Sequence, residues 1–257
     1  MNNIKITTTH PTVLPEYTIW GLGKLLTKPN CQLLDNVSEN LLNFANKFVD
    51  DGTFKLSNIH QVSFDTYSQA LTAILLRYTK TIGHINGEHI SLLIDKSTNK
   101  LLGLTKQTKQ TKNALPSHSL AYQKSIEFLN QHASDLIFDQ HSLDLPECDN
   151  NLRLEFNPVI NIDKLQLQWI DQHIELIIIN NAKHVVNGMK VKFYIPNADR
   201  WAWVVVDYQG NVITFERDIH WDFDKHQRLT PMWLHDQWLV SHQIDESLLV
   251  TPNSEKY

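Results

Sequence analysis

Apolar residues recur with two different periods along this chain, and the change of period separates predicted helices from predicted strands. Residues 38–49, 65–78 and 119–133 carry apolar side chains three and four positions apart, which is the spacing of an amphipathic helix. Ser38 and Asp65 stand at the start of the first two segments, where they are expected to act as N-caps. A last helix is predicted to open at Thr230-Pro231, because Thr suits the N-cap and Pro suits the first helical position.

Other segments carry the signals of β-strands. Residues 90–94 and 100–106 are apolar segments joined by the polar turn 95–99, and together they predict a β-hairpin. Residues 189–195 alternate between apolar and polar side chains with the strand period of two. Further strands are predicted at 152–156, 165–170, 173–179, 201–206 and 212–223, so the chain beyond residue 136 is mostly strand.

The order of these segments suggests an internal repeat. The helix 65–78 and the hairpin 90–106 are echoed by the helix 119–133 and the strands of 189–223, and ISLLIDKSTNKLLGLT aligns with AWVVVDYQGNVITFE. We therefore predict an α+β fold in which helices pack on antiparallel β-sheets in two repeated helix-plus-hairpin units. The predicted boundaries are an irregular N-terminal arm at 1–34, a first unit at 35–108, a polar linker around 106–113, a second unit at 114–244 and a tail at 245–257.

Composition and charge narrow the classes of function. The 257 residues are 42% hydrophobic and 20% charged, which is typical of a globular chain rather than a disordered one. The net charge of −5 argues against general nucleic-acid binding, which needs a basic surface. No segment approaches the roughly 20 apolar residues of a membrane helix. The two cysteines, Cys31 and Cys148, exclude a disulfide framework, and with an N-terminus that lacks a signal sequence they predict a cytoplasmic location.

Sequence motifs for catalysis and for cofactors are absent. No G-x-S-x-G, H-E-x-x-H, Walker or EF-hand pattern occurs, and Gly21-Leu22-Gly23 lacks the third glycine of a dinucleotide site. The eight glycines are about 3% of the chain, against a typical usage of about 7%, so glycine-rich phosphate loops are scarce. We therefore expect no cofactor and no catalytic residue.

Acidic and titratable side chains alternate along the last predicted strand. Residues at alternate positions of a strand share one face and stand roughly 6.6 Å apart, so neighbouring carboxylates in such a row repel one another unless a cation neutralises them. Three interpretations of the row are open. It is a solvated face whose charge is balanced by Lys190, Lys192 or a neighbouring strand, or it is a docking site for a basic surface of a partner protein. In the third, the end of the row binds a divalent metal. The members of the row are Thr214, Glu216, Asp218, His220, Asp222 and Asp224, and the metal candidates are His220, Asp222, Asp224 and His226.

Five tryptophans lie within 38 positions near the C-terminal end. We expect Trp201 and Trp203 to meet the last helix in the core. Trp221 lies beside the acidic row, and a partly exposed tryptophan there is a candidate interaction hot spot.

The helix SLAYQKSIEFLNQHASDL and the later strand pair AWVVVDYQGNVITFERD resemble PepSY-type modules, which are themselves similar to the propeptide domains of thermolysin-like proteases. The resemblance covers residues 118–220 best and 65–106 weakly. It implies a binding or inhibitory fold without catalytic residues, which acts on proteases or as a folding aid.

The expected function is therefore that of a non-enzymatic protein-binding, inhibitory or chaperone-like module. It would recognise another protein through a sheet edge and through Glu216, Asp218, His220, Trp221, Asp222 and Asp224. One alternative is a metal-assisted hydrolase that uses the four metal candidates. Another is a small-molecule binding module with a pocket between the helix 119–133 and the sheet.

Overall fold

Eight antiparallel strands form one sheet through the centre of the molecule. The computed structural model describes residues 37–49, 52–66, 68–80, 85–137 and 164–241. The sheet strands are β1 (Lys55–Asp65), β2 (Ala70–Thr79), β3 (His89–Asp95), β4 (Leu101–Gln107), β5 (Gln166–Ile179), β6 (Ala182–Ile195), β7 (Arg200–Val206) and β8 (Val212–Ile219). Their order is β1-β2-β3-β4-β8-β7-β6-β5, so two meanders join where β4 pairs with β8.

Short elements complete the described chain. The α-helices are α1 (Glu39–Asn46), α2 (His118–His132) and α3 (Asp236–Ser241), and single 3-10 turns lie at Ser134–Leu136 and Pro196–Ala198. A small two-stranded ribbon consists of β9 (Trp221–Asp222) and β10 (Gln227–Arg228). The Ser38 and Ser117 hydroxyls cap α1 and α2, accepting from the backbone N–H groups of Leu41 and Leu120. Both helices lie near their predicted positions, whereas the predicted arm 1–34, the predicted strand 152–156 and the predicted tail 245–257 lie outside the described residues.

The predicted fold class, with helices packed on sheets in two repeated helix-plus-hairpin units, is wrong. About half of the described chain is antiparallel strand, and the predicted helix 65–78 is largely strand β2. Ile74 and Leu76 face one side of the sheet, while Ala73 and Leu75 face the other side. A strand that is buried on both faces carries a nearly continuous apolar run, which also satisfies the helical spacing. Without that helix there is no repeated unit.

One face of the sheet, here called the helix face, is covered by α1 and α2. Its core is continuous and apolar, with the rings of Phe128 in α2 and Phe215 in β8 in tilted contact at 5.2 Å between centroids. Phe193, Phe215 and Leu129 have essentially no solvent exposure. This face supplies the largest apolar cluster of the described chain.

The opposite face is covered by the segment 229–241 and by the far end of the β5–β6 hairpin. Trp233, Leu234 and Leu239 pack over β1 to β4. Gly103 permits this approach, because a Cβ there would lie 2.6 Å from Leu234 Cδ1. The last helix begins at Asp236 rather than at the predicted Thr230, whose hydroxyl instead accepts the His220 N–H at 2.8 Å.

The hairpin end, residues 173–187, is here called the hairpin arm. β6 pairs with β7 only over Met189–Ile195, so the arm extends beyond β7 as two strands. Gly188 lies where the arm leaves the sheet, and a Cβ there would come within 2.8 Å of the Val206 carbonyl oxygen. The Ile178 N–H donates to the Asn86 carbonyl at 2.6 Å, which fixes the arm across the end of β3.

Candidate functional site

The predicted acidic row is not one strand face. β8 ends at Ile219, and its register with β7 shifts because Trp203 pairs with Glu216 while Trp201 pairs with Ile219. Asp218 adopts a left-handed conformation with φ of 56°, so a bulge interrupts the alternation. Glu216 and Asp218 therefore contact different groups. The expectation that all six members share one face is wrong.

Intramolecular cations hold the carboxylates at the start of the row. Glu216 is 3% exposed and accepts from Arg228 Nη2 at 2.6 Å. Asp218 accepts from Arg217 Nε at 2.8 Å. Both carboxylates are buried, so only the end of the row is available to a partner.

The end of the row lies on the β9–β10 ribbon. Asp222 forms an ion pair with Lys225 at 3.0 Å, and Asp224 lies exposed on the turn. His220 and Trp221 are half-buried, and burial lowers the pKa of His220. A partner-binding role for these residues stays a prediction.

The four metal candidates do not converge on one point. In the part of the chain that the structure describes, no group of three His, Cys, Asp or Glu side chains is arranged to hold a metal ion. His226 lies exposed at a left-handed position of the turn, with φ of 51°. The structure gives the metal-assisted hydrolase no assembled site among these residues.

A buried polar centre lies between the two apolar clusters on the second face. It consists of Arg77, His89, Glu175, Glu216, Arg228, His235 and Asp236. These side chains come from β2, β3, the hairpin arm, β8, β10 and the C-terminal segment, so folding brings together residues far apart in the sequence.

His235 bridges two glutamates in this centre. Its Nε2 lies 3.0 Å from Glu216 Oε2, and its Nδ1 lies 3.6 Å from Glu175 Oε1. Burial alone disfavours the imidazolium, but the two carboxylates raise the pKa of His235 to about 10. His235 is therefore protonated at neutral pH and donates to Glu216.

The glutamates are held ionised in turn. Burial favours their neutral form, yet Arg228 and His235 keep the pKa of Glu216 far below its usual range. His235 and His173 do the same for the pKa of Glu175. Glu175 also accepts from Gln107 Nε2 at 2.7 Å, which ties the hairpin arm to β4.

A second ion pair anchors α3. Arg77 donates to both carboxylate oxygens of Asp236, at 2.6 and 2.8 Å. His89 Nε2 lies 3.6 Å from Asp236 without a hydrogen bond, and His89 Nδ1 lies 2.8 Å from the Gly87 carbonyl. Burial and the Arg77 charge lower the pKa of His89, so this ring is neutral. The pair joins the C-terminal helix to β2.

Two lysines of β6 lie on indole rings beside the polar centre. Lys190 Nζ is 3.7 Å from the centroid of Trp203, and Lys192 Nζ is 4.0 Å from that of Trp201. Trp169 and Trp221 lie within 5.4 and 6.0 Å of Lys192. The expected burial of Trp203 in the core is confirmed, and Trp201 packs beside it in the cluster of the hairpin arm. Trp233, Leu234 and Leu239 of the C-terminal segment belong to a different cluster.

A cleft of about 390 Å³ lies beyond the C-terminal end of α2. Arg217 crosses it and donates to Asp135 at 2.9 Å, and Lys100 pairs with the same carboxylate at 3.3 Å. Arg217, Lys100 and Asp135 in its lining are therefore paired with one another. Between α2 and the sheet, where the sequence predicts a pocket, Ala121 and Leu129 are buried in the apolar core of the helix face.

The outer side of the hairpin arm is apolar and exposed. Ile177 and Val186 point inward and are buried against Trp203 and Val205. The adjacent positions point outward, and their fractional exposures are 55% for Ile174, 47% for Leu176, 42% for Ile178 and 39% for Val185. We call these four residues the arm patch.

Sequence reasoning did not single out Glu175 or His235, and it named Lys190 only as one of the groups that could balance the acidic row. Glu175 could have been found from the sequence, because it is the one charged residue within the apolar run 174–179. It also lies two positions from Ile177, so the two side chains share one face of a strand. No local pattern indicates His235, whose partners lie 19 and 60 positions away in the chain.

Comparisons of this chain with family models, with curated proteins and with solved structures find no match. The PepSY resemblance stays a prediction. No helix in the described ranges has the length and apolar character needed to cross a bilayer.

Proposed function

We propose that this chain is a non-enzymatic protein-binding module that recognises an apolar surface of another protein through the arm patch. The observation that carries the proposal is the exposed apolar outer side of a hairpin whose inner side is buried and fixed. We thus still propose a protein-binding function, but through the hairpin arm rather than through the acidic strand.

The arm patch is contiguous. Leu176 pairs directly with Val185 across the two strands, and Ile174 and Ile178 lie two positions to either side of Leu176 on the same face. Burying the exposed part of these four side chains is worth roughly 3–5 kcal/mol at the usual value per buried aliphatic side chain. That free energy is available to a partner that covers the patch.

The arm presents this patch in a fixed position. Gln107 holds Glu175, the Asn86 carbonyl holds the Ile178 N–H, and the side chain of Gln110 forms two hydrogen bonds with the Asn187 backbone at 2.8 and 3.0 Å. A surface that is already ordered loses little conformational entropy when it binds.

The chemistry around the patch is that of an interface core with a polar rim. Glu175, the one charged side chain within the run 174–179, turns inward, while Gln172 and Lys183 lie exposed at the margin on the face of the patch. Protein interfaces exclude charge from their centres and keep it at their rims. An apolar protein surface is therefore the occupant that fits.

The test compares two variants that each carry two substitutions to serine. In Leu176→Ser/Ile178→Ser the patch loses its centre, and in the control Gln172→Ser/Lys183→Ser only the rim changes. We expect a protein retained by the wild type and by the control to be lost from the patch variant, while all three unfold at similar temperatures.

Two outcomes contradict the proposal. Retention of the same partner by the patch variant would exclude the surface. The second is dimerisation. If the molecular mass of the wild type and of the control doubles as the protein concentration rises, while the patch variant stays monomeric, the patch binds a second copy of this chain instead.

We propose a cytoplasmic location for this activity. The low cysteine content supports it, since secreted small proteins commonly rely on disulfides. Labelled protein found outside the cytoplasm after cell fractionation would contradict this location.

A further inference from the structure

We propose that Lys190 and Lys192, with the indoles around them, form a binding site for an oxyanion, a phosphate or carboxylate group carried by a small ligand with a flat apolar part. This site is separate from the arm patch and does not depend on it.

Charge balance in the polar centre is the first observation. Its three carboxylates are Glu175, Glu216 and Asp236, and each is paired with a cation of the centre. Arg77 pairs with Asp236 at 2.6 Å, and Arg228 pairs with Glu216 at 2.6 Å. His235 pairs with Glu216 at 3.0 Å and with Glu175 at 3.6 Å. With His235 protonated, the pairing is complete without either lysine.

The lysines are therefore positive charge in excess of these three carboxylates. A fourth carboxylate, Asp171, lies opposite Lys190 in the β5–β6 pair but is exposed to solvent. Within the described ranges neither ammonium group makes a hydrogen bond or an ion pair, and their recorded contacts are with indole rings. Lys190 and Lys192 are two positions apart on β6, so their side chains leave the same face roughly 6.6 Å apart along the strand. The Arg228 guanidinium lies 5.4 Å from the Trp203 centroid, on the same ring as Lys190.

The electrostatics of Lys190 agree with a site for an anion. Burial is the largest influence that lowers its pKa, to about 8, and the charges of Lys192 and Arg228 add to it. Glu216 and Glu175 act in the opposite direction, but Arg228 already pairs with Glu216, and His235 pairs with Glu175. An oxyanion between the two lysines would relieve this repulsion.

The surroundings indicate the rest of the ligand. Trp201 and Trp221 are half-buried beside Lys192, and Phe223 is 58% exposed with its ring 5.9 Å from Trp201. Half-exposed aromatic rings offer flat apolar surface for stacking. A ligand that joins an oxyanion to a planar ring fits both features.

The experiment titrates full-length protein at pH 7 with inorganic phosphate, phenyl phosphate and benzoate, with sodium chloride at equal ionic strength as reference. Tryptophan fluorescence reports occupancy, because both ammonium groups lie over indoles. We expect phenyl phosphate to bind more tightly than inorganic phosphate, and benzoate to show whether a carboxylate suffices.

Variants assign the site. Lys192→Gln is expected to weaken phenyl phosphate binding about tenfold to a hundredfold, the value of one charged hydrogen bond. Lys190→Gln/Lys192→Gln should abolish it, and Lys183→Gln on the hairpin arm should leave it unchanged. Binding should also weaken as pH rises through about 8, where Lys190 loses its proton.

Three results would overturn the proposal. The first is a fluorescence response to phenyl phosphate that is no larger than the response to sodium chloride. The second is wild-type affinity in the double variant when its unfolding temperature matches that of the wild type. The third is a loss of affinity in Lys183→Gln as large as that in Lys192→Gln. The last would show general charge attraction rather than a site.

Discussion

The two faces of the central sheet differ in kind. The helix face is a continuous apolar layer in which Phe193 and Phe215 are fully buried. The second face has two apolar clusters with a buried polar centre between them. Apolar burial is non-directional and stabilises the sheet as a whole, whereas ion pairs fix particular groups at particular distances. The second face thus determines where the hairpin arm and the C-terminal segment lie.

The largest expected effect is on the helix face. Phe193→Ala should reduce the free energy of unfolding by about 3–5 kcal/mol, because it leaves a cavity in a closely packed core. Urea unfolding measures this change. Phe223→Ala, at a 58% exposed position, is the control and should change stability by less than about 1 kcal/mol. Equal effects of the two changes would contradict the assignment of the core.

Removing one carboxylate from the second face should cost almost as much. Glu216→Gln leaves Arg228 and His235 buried without their shared anion, which we expect to cost about 3 kcal/mol. Asp222→Asn removes only a pair with an exposed lysine and should cost less than about 1 kcal/mol. If the two variants unfold alike in urea, the polar centre does not hold the second face together.

Acid should weaken the second face through two histidines. Burial lowers the pKa of His60 to about 4, and burial with Arg77 lowers that of His89. Both rings are neutral when folded but gain a proton when unfolded, so stability falls as pH decreases below about 6.5. His60→Gln should flatten this part of the urea-measured profile, and His226→Gln on the exposed turn should not.

Base should act through His235 in the opposite direction. Its pKa is raised to about 10, so its contribution is complete below about 6.5 and is lost as pH rises toward 10. His235→Gln should remove this alkaline decline. An unchanged alkaline limb in that variant would mean that the imidazole is neutral in the folded protein.

The smallest expected effect is local to the hairpin arm. Glu175→Gln keeps the contact with Gln107 but removes the charge facing His173 and His235. We expect the Ile178 amide to exchange with solvent about tenfold faster, with little change in global stability. Hydrogen exchange measures this, and Lys183→Gln is the control. An unchanged Ile178 amide would show that the ion pairs do not hold the arm.

Local elements could be predicted from the sequence where one signal dominates. Ser38 marks the start of α1, and the polar turn after Asp95 separates β3 from β4. The segment around Ile74 was wrongly predicted to be a helix, because its apolar run fits both the helical spacing and a strand buried on both faces. Only the pairing of β2 with β1 and β3 decides between them, and that pairing is not local.

The candidate surfaces were harder to predict for the same reason. Strict alternation through Glu216 and Asp218 indicated one acidic face, but a left-handed residue at 218 breaks the alternation. The ion pairs that neutralise Glu216 come from Arg228 and His235, beyond the end of the strand. The exposure of Leu176 depends on how far β6 extends past β7, which no local pattern specifies.

The most direct test of the proposed function is site-specific photo-crosslinking in cells. A photoreactive residue replaces Leu176 in the arm patch or, as control, the exposed Gln209 on the β7–β8 turn. We expect one discrete partner protein to be crosslinked from position 176 and not from 209, and excess wild-type protein to compete for it while Leu176→Ser/Ile178→Ser does not. The same products from both positions, or equal competition by that variant, would contradict a protein-binding role for the arm patch.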